Sequence, residues 1–163
     1  AMAALEAVAR VEGAIPGVGT VVTPEQLQAA KDAGAQFAVS PGHTAKLLDA
    51  ADAIGMPYLP GAATPAEMQR LMERGYTNLK FFPAEASGGA AYLKNFASVF
   101  KSIRFCPTGG VSLKNMDQYL SLPNVDVVGG SWVAPKSAVE TGNWGELTTL
   151  AKDAIKAAHA INA

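Results

Sequence analysis

One complete helix-and-strand unit is encoded by TPAEMQRLMERGYTNLKFF, residues 64–82. Thr64 is a favoured N-cap residue, the proline after it suits the first helical position, and Glu67 can complete a capping box with Thr64. Gly75 is placed to end the helix in a left-handed conformation, and the apolar run at residues 79–82 follows it. The stretch therefore predicts a capped helix that leads into a buried strand.

The same pattern occurs twice more upstream, at a period of 20 to 21 residues. Thr23 and Thr44 each precede a predicted helix. Gly34 and Gly55 close these helices, and a short apolar run follows each glycine. Regular alternation of helices with apolar strands predicts an α/β protein, in which a parallel sheet is covered by helices.

The rest of the chain continues the pattern more loosely. The opening residues, 1–13, indicate an amphipathic helix, Ser112 is expected to cap a helix that runs to about Leu120, and an alanine-rich helix is expected from Glu146 to about His159. Six strands are predicted in all, at residues 18–22, 37–40, 56–59, 79–82, 102–106 and 125–128.

The composition is that of a folded domain, since 49% of the residues are hydrophobic and the formal net charge is −1. The 13 basic and 14 acidic residues are scattered, so no surface for nucleic acid is predicted. The one cysteine, Cys106, suits a reducing compartment, and no apolar run reaches the roughly 18 residues of a membrane helix. We therefore expect a cytoplasmic protein without a membrane partner, folded as a single domain over residues 1–163.

Two architectures fit this alternation. Six strands in 163 residues favour an open doubly wound sheet, because a (β/α)8 barrel usually has eight strands and about 250 residues. The motifs described next favour the barrel.

Glycine, proline and small hydroxyl residues follow most of the predicted strands. In either architecture ligands gather at this carboxyl edge, where glycine lets the backbone approach a ligand closely. The last two strand ends are Thr108-Gly109-Gly110 and Gly129-Gly130-Ser131. Each turn taken alone is explained by ordinary chain reversal, but the two pairs together favour phosphate or carboxylate binding through backbone N–H groups.

Lys80 lies inside the apolar run 79–82, although burying an ammonium group is costly. One interpretation is structural: the lysine reaches the surface or pairs with a carboxylate such as Glu85. Glu85 itself is better explained as a carboxylate at a helix N-terminus. The other is chemical: desolvation lowers the pKa of the lysine, and the neutral amine attacks a carbonyl group to form a Schiff base. The protonated imine is then an electron sink for cleaving or forming a C–C bond.

Five motifs carry a resemblance to a known family: GVGTVV (17–22), GAQFAVSPG (34–42), LKFFPAEASGG (79–89), IRFCPTGGVS (103–112) and VGGSWVAP (128–135). In this order and at this spacing, they resemble the 2-keto-3-deoxy-6-phosphogluconate (KDPG) and 4-hydroxy-2-oxoglutarate (KHG) aldolase family over essentially the whole chain. The resemblance implies an α/β fold of the (β/α)8 TIM-barrel family, commonly a homotrimer, that works as a class I aldolase without a metal or another cofactor.

The resemblance also implies roles for individual residues. Lys80 corresponds to the family's Schiff-base lysine, and Thr20 to a threonine near the reacting end of the substrate. The full set of implied substrate-binding residues is Thr20, Pro41, Phe82, Thr108, Gly109, Gly110, Gly129, Gly130 and Ser131. The hydroxyl and glycine residues from 108 onwards correspond to positions that line the phosphate and carboxylate sites.

One part of the family pattern has no counterpart here. Members of the family have two further strands before the helix that opens this chain, and these carry a glutamate that moves protons and an arginine that helps to hold the substrate. We therefore expect about six of the eight βα units, and loss of a general base would slow cleavage by about 10²–10⁴-fold.

The expected reaction is cleavage of KDPG to pyruvate and glyceraldehyde 3-phosphate, with cleavage of KHG to pyruvate and glyoxylate as a second activity. Two other functions stay open at this point. One is an inactive, truncated barrel that only binds phosphate or a keto acid, or self-associates. The other is an unrelated phosphosugar-binding barrel enzyme, such as an epimerase or isomerase, although no suitable pair of carboxylate or histidine bases lies at the predicted strand ends.

Overall fold

The computed structural model describes residues 2–161, which form two compact units, the first ending at Phe82 and the second beginning at Pro83. Both units have helices, and the paired strands of the first unit are parallel, as an α/β protein requires. The single domain expected over residues 1–163 stays a prediction. No helix within residues 2–161 is both long and apolar enough to cross a membrane.

The first unit alternates helices and short strands. Its helices are α1 (Met2–Ala9), α2 (Pro24–Asp32), α3 (Ala45–Ile54) and α4 (Pro65–Glu73). Its strands are β1 (Gly17–Val18), β2 (Phe37–Val39), β3 (Tyr58–Leu59), β4 (Gly61–Ala62) and β5 (Asn78–Phe81). β1, β2 and β3 form one parallel sheet in that order, and β4 pairs in parallel with β5.

Helices α2, α3 and α4 begin at the predicted threonines. The hydroxyl oxygen of Thr23 accepts a hydrogen bond from the N–H of Gln26, and Thr44 caps α3 in the same way. Thr64 and Glu67 form the predicted capping box, in which the carboxylate of Glu67 accepts from the N–H of Thr64 at 2.9 Å.

The three predicted closing glycines are also confirmed. Gly34, Gly55 and Gly75 have φ angles of 93°, 67° and 85°, in the left-handed region where a side chain would be strained. Leu27 and Ala30 of α2 and Leu47 of α3 are buried in one core cluster with Ala38 of β2, and α4 buries Met68 and Leu71.

Two strand predictions in the first unit need correction. The first strand, predicted at residues 18–22, is only Gly17–Val18, because Thr20 turns the chain into the left-handed region at φ 62°. The third, predicted to stop at Leu59, continues as β4 beyond Pro60. Proline has no N–H for a sheet ladder, so the chain pairs with β2 before Pro60 and with β5 after it.

Over its described residues, 83–161, the second unit contains one regular strand, four short helical segments and one long closing helix. Its elements are α5 (Gly89–Lys94), β6 (Arg104–Pro107), α6 (Met116–Leu120), a 3-10 helix (Ser131–Val133), α7 (Lys136–Glu140) and α8 (Trp144–Ile161). Buried side chains of this unit include Leu93, Phe105 and Tyr119, each with at most 1% of its surface exposed. The closing helix α8 is longer at both ends than predicted.

The strand predicted at residues 125–128 is wrong. The chain there makes only two isolated parallel bridges, Phe105 with Val125 and Thr108 with Gly129. Between the bridges, Val127 is 54% exposed, whereas a strand in the middle of a covered parallel sheet would bury it. Residues 126–128 therefore lie outside any regular strand.

The predicted cap at Ser112 is also wrong. Helix α6 begins at Met116, and its N-cap residue is Asn115. The side-chain oxygen of Asn115 accepts a hydrogen bond from the N–H of Ser112 at 2.8 Å, so the two residues close a turn before the helix. Ser112 sits in that turn, three residues before the N-cap.

Candidate active site

Lys80 is buried, as its apolar neighbours predicted, with 8% of its surface exposed. It is the third residue of β5, between Leu79 and Phe81, which are both fully buried. Its ammonium nitrogen Nζ lies 4.7 Å from the centre of the Phe82 ring, within cation–π distance. The strand therefore presents an amine to an apolar surrounding, with an aromatic face beside it.

Strand β4, which pairs with the strand of Lys80, lies very close to the turn that contains Pro41 and Gly42. Gly61 of β4 is the parallel partner of Lys80, and paired residues point to the same face of a sheet. A Cβ atom on Gly61 would lie 2.2 Å from the carbonyl carbon and oxygen of Pro41 and 2.5 Å from the nitrogen of Gly42. Pro41 is thus packed over the partner of Lys80, and only glycine fits at position 61.

His43 fastens the same turn. Its ring nitrogen Nδ1 lies 2.9 Å from the carbonyl oxygen of Gly61, so Nδ1 carries the proton and donates it to this oxygen. Nothing in the sequence around His43 indicates this contact, because its partner lies 18 residues later in the chain.

A buried hydroxyl pair supports the carboxyl edge of the first sheet. Tyr58 donates to the hydroxyl of Ser40 at 2.7 Å, and Ser40 donates to the carbonyl oxygen of Val21 at 2.5 Å. Burial raises the pKa of Tyr58, against the smaller opposing effect of the Ser40 hydrogen bond, so the phenol stays a neutral donor. Val21 is thereby fixed directly after Thr20.

Thr20 itself is exposed and has a φ of 62°. A β-branched residue is strained there, and strained backbone persists only where surrounding contacts hold it. Thr20 follows β1 and Pro41 follows β2, and these strands are parallel neighbours. Both predicted residues therefore lie at the same edge of the first sheet.

The two glycine pairs meet in the second unit. We refer to residues 108–110 as the first glycine loop and to residues 129–131 as the second glycine loop. Thr108 and Gly129 form a parallel bridge, and the N–H of Gly129 donates to the carbonyl oxygen of Pro107 at 2.9 Å. A Cβ atom on Gly129 would lie 2.8 Å from the hydroxyl oxygen of Thr108, so a larger residue would force the loops apart.

The carbonyl groups of the first glycine loop are all used within the protein. Those of Thr108 and Gly109 accept from the N–H groups of Ala84 and Glu85, at 2.8 and 3.1 Å. That of Gly110 accepts from the side-chain amide of Asn115 at 3.1 Å. All three carbonyl groups of the loop therefore accept hydrogen bonds from other residues of the second unit.

The N–H groups of both loops show the opposite behaviour. Among the hydrogen bonds of residues 2–161, none has the N–H of Gly109, Gly110, Gly130 or Ser131 as its donor. Gly109 and Gly110 have φ angles of 99° and 82°. Successive N–H groups that are left available in this way can bind an anion.

Glu85 and Tyr119 form a hydrogen-bonded pair in the second unit. The hydroxyl of Tyr119 donates to carboxylate oxygen Oε1 of Glu85. Burial is the largest cause that raises the pKa of Tyr119, and this hydrogen bond is the next largest, so the hydroxyl remains a donor. The pair is separated by 34 residues, and the sequence offers no signal for it.

The predicted residues thus fall into two groups. The first unit holds Lys80, Phe82, Pro41 and Thr20, and the second holds both glycine loops. Within residues 2–161, no cluster of three or more histidine, cysteine, aspartate or glutamate side chains is arranged to hold a metal ion.

Comparison with known proteins gives a consistent result. A family model described as KDPG and KHG aldolase matches residues 1–150. The 2-dehydro-3-deoxy-phosphogluconate aldolase of Pseudoalteromonas atlantica is 50% identical over 151 residues, which are 93% of this chain and 70% of that protein. The KHG/KDPG aldolase of Escherichia coli K12 is 46% identical over 97% of this chain and 75% of its own length.

Solved structures agree with the sequence comparisons. The KDPG aldolase of Legionella pneumophila, with pyruvate captured as a covalent carbinolamine intermediate, superposes with a TM-score of 0.88. The match has 44% sequence identity and covers 91% of this chain and 73% of that one. Solved KDPG aldolase structures such as this one are (β/α)8-type barrels, which confirms the predicted fold class. Because the family model matches most of the chain and the identity to these relatives is 46–50% over most of each sequence, the chain belongs to the KDPG and KHG aldolase family.

Proposed function

We propose that this aldolase cleaves KDPG into pyruvate and glyceraldehyde 3-phosphate through a Schiff base formed by Lys80. The observation that carries the proposal is the burial of Lys80 in an apolar strand of a KDPG and KHG aldolase, because desolvation favours the neutral amine that can attack a carbonyl group. The covalent pyruvate adduct named for the Legionella relative supports imine chemistry. Cleavage of KHG to pyruvate and glyoxylate is the second proposed reaction, supported by the name of the Escherichia coli relative.

The proposed reaction proceeds through a covalent intermediate that conserves all atoms. The neutral amine of Lys80 attacks the C2 carbonyl carbon, and the carbinolamine loses water to give a protonated imine. A base removes the C4 hydroxyl proton, the C3–C4 bond breaks, and its electron pair moves towards the imine nitrogen. Glyceraldehyde 3-phosphate leaves, the enamine takes a proton at C3, and water releases pyruvate from Lys80.

Phe82 has a distinct part in this scheme. The imine nitrogen is positively charged in the step that breaks the C–C bond, and the Phe82 ring lies beside the position of that nitrogen. The negative face of an aromatic ring attracts a cation, by roughly 0.5–2 kcal/mol depending on desolvation. Phe82 is therefore proposed to stabilise the iminium form of Lys80.

The remaining predicted residues are proposed to bind the substrate. The available N–H groups of the two glycine loops suit the phosphate group. Thr20 and Pro41, which lie at the edge of the first sheet, are proposed to contact the keto-acid end.

Imine trapping tests the role of Lys80. The purified chain is incubated with pyruvate and borohydride, which reduces the imine to a stable amine, and the adduct is located by mass spectrometry. We expect the label on Lys80, and we expect Lys80→Met to abolish both labelling and KDPG cleavage.

The matched control is Lys101→Met, which removes an exposed lysine outside the site and is expected to leave labelling intact. Labelling of another lysine, or unchanged cleavage by Lys80→Met, would refute the assignment. Labelling of Lys80 without any cleavage of KDPG would instead favour a chain that only binds keto acids.

We also propose that the chain assembles as a homotrimer in the cytoplasm, as the family resemblance implies. Light scattering after size-exclusion chromatography is expected to give about 50 kDa, three times the chain mass of 16.8 kDa. A mass equal to that of one chain would exclude the trimer.

A further inference from the structure

Glu85 contacts the first glycine loop with one part of its side chain and Tyr119 with the other. A Cβ atom on Gly110 would lie 2.5 Å from Cγ and 2.8 Å from Cβ of Glu85, so the methylene carbons cover Gly110. Carboxylate oxygen Oε1 instead lies near Gly89, where it accepts the hydroxyl proton of Tyr119. The apolar half of Glu85 therefore faces the loop, and the charged end is held by Tyr119.

The backbone of Glu85 reinforces this contact. Its N–H donates to the carbonyl oxygen of Gly109, and the preceding N–H, of Ala84, donates to that of Thr108. Asn115 holds the third carbonyl, of Gly110, from the other end of the loop. The conformation that leaves the loop N–H groups available thus depends on Glu85 and its neighbours.

The Glu85 carboxylate lies close enough to the first glycine loop to repel an anion bound there, unless it is held in another direction. Two negative charges a few ångströms apart repel each other, and the repulsion grows as water is excluded. Tyr119 directs the Glu85 charge to its own hydroxyl, on the Gly89 side, while the methylene carbons shield Gly110. Removing the hydroxyl would free the carboxylate to rotate towards the loop.

We propose that Tyr119 and Glu85 are positioning residues that keep the first glycine loop ready for a phosphate group, and so set the preference for phosphorylated over non-phosphorylated aldol substrates. The inference rests on the proposed function, in which that loop binds the phosphate of KDPG. KHG has no phosphate, so it provides an internal reference for every variant.

The test compares KM and kcat for KDPG and KHG in the starting protein and its variants. Tyr119→Phe is expected to raise the KM for KDPG about tenfold, the effect of one released charge near the phosphate, and to change the KM for KHG less than about twofold. Tyr119→Phe combined with Glu85→Gln is expected to restore the KM for KDPG to within about threefold of the starting protein, because no charge remains to be released.

Two further variants separate this effect from general damage. Tyr76→Phe is the matched control, because Tyr76 also donates to a carboxylate, that of Asp52 at 2.6 Å, but lies in the first unit. It is expected to leave both KM values unchanged. Glu85→Gln alone is expected to bind inorganic phosphate at least as tightly as the starting protein, a result that loss of folding would not produce.

The outcomes distinguish the two levels of the proposal. Equal changes for KDPG and KHG in Tyr119→Phe, or no recovery in the double variant, would overturn the positioning role while Lys80 trapping still stands. If pyruvate and borohydride fail to label the unaltered chain, the proposed function fails, and calorimetric titration with inorganic phosphate still tests the loop. Unchanged phosphate affinity in Tyr119→Phe would then overturn the inference on its own.

Discussion

Replacing Gly61 by alanine should disturb the wall beside Lys80 more than any other single methyl group. The new Cβ would lie 2.2 Å from two backbone atoms of Pro41, whereas ordinary contacts begin at about 3.4 Å. Two backbone segments would have to separate by about 1 Å, and neither is a flexible side chain. Overpacking costs about 1–3 kcal/mol, and a clash with backbone lies at the upper end of this range.

The consequences are measurable in stability and in chemistry. A loss of about 3 kcal/mol lowers the melting temperature of a chain of this size by about 6–12 °C. Because Gly61 is the strand partner of Lys80, a displacement of about 1 Å should also slow imine formation, by about 100-fold if the amine shifts with its strand. Thermal unfolding gives the first quantity, and the rate of pyruvate labelling under borohydride gives the second.

Gly42→Ala is the matched control. It lies in the turn that Gly61 contacts, but a Cβ atom there meets nothing within 4 Å. We expect its stability to change by less than about 1 kcal/mol, the range of a Gly-to-Ala change without strain. If Gly61→Ala melts within 2 °C of the starting protein and is labelled at the same rate, the close approach of Pro41 does not shape the site.

Three further predictions concern the first unit. Burial raises the pKa of Glu67, but hydrogen bonds from the backbone at the start of α4 and from Thr64 outweigh burial and hold the pKa below 4.5. Glu67→Gln should therefore be less stable than the starting protein above pH 4.5. This difference in stability, measured by urea unfolding, should shrink as the pH falls through the folded-state pKa of Glu67. Tyr58→Phe removes the donor to Ser40 and should cost about 1 kcal/mol in the same assay, and a cost below 0.3 kcal/mol would contradict a stabilising role for this pair. Lys80→Met should change the free energy of unfolding by less than about 2 kcal/mol, because an apolar chain of similar length replaces the buried amine, and a larger loss of stability would show that Lys80 has a structural role instead.

The features that the sequence predicted correctly are local ones. Thr64 and Glu67 interact across one helical turn, and Gly75 needs only its own backbone angle, so a short window contains all the information. The burial of Lys80 follows in the same way from Leu79 and Phe81 on either side. These features define the repeating unit and the burial of Lys80.

The features that the sequence did not predict depend on distant partners. Val125 lies in an apolar run, but whether it forms a strand depends on its partner at Phe105, and only isolated bridges form. Glu85 and Tyr119 are 34 residues apart, and His43 and Gly61 are 18 apart. Periodicity describes one segment at a time and has no access to such pairs.

The left-handed backbone at Thr20 has a practical consequence for engineering. A residue other than glycine in that conformation costs about 1–3 kcal/mol, so a Thr20→Gly variant should tolerate more heat. The same change deletes the hydroxyl that is proposed to meet the keto acid. A library sorted by melting temperature alone would therefore enrich a more robust but poorer catalyst, and selection at this position should use turnover as its criterion.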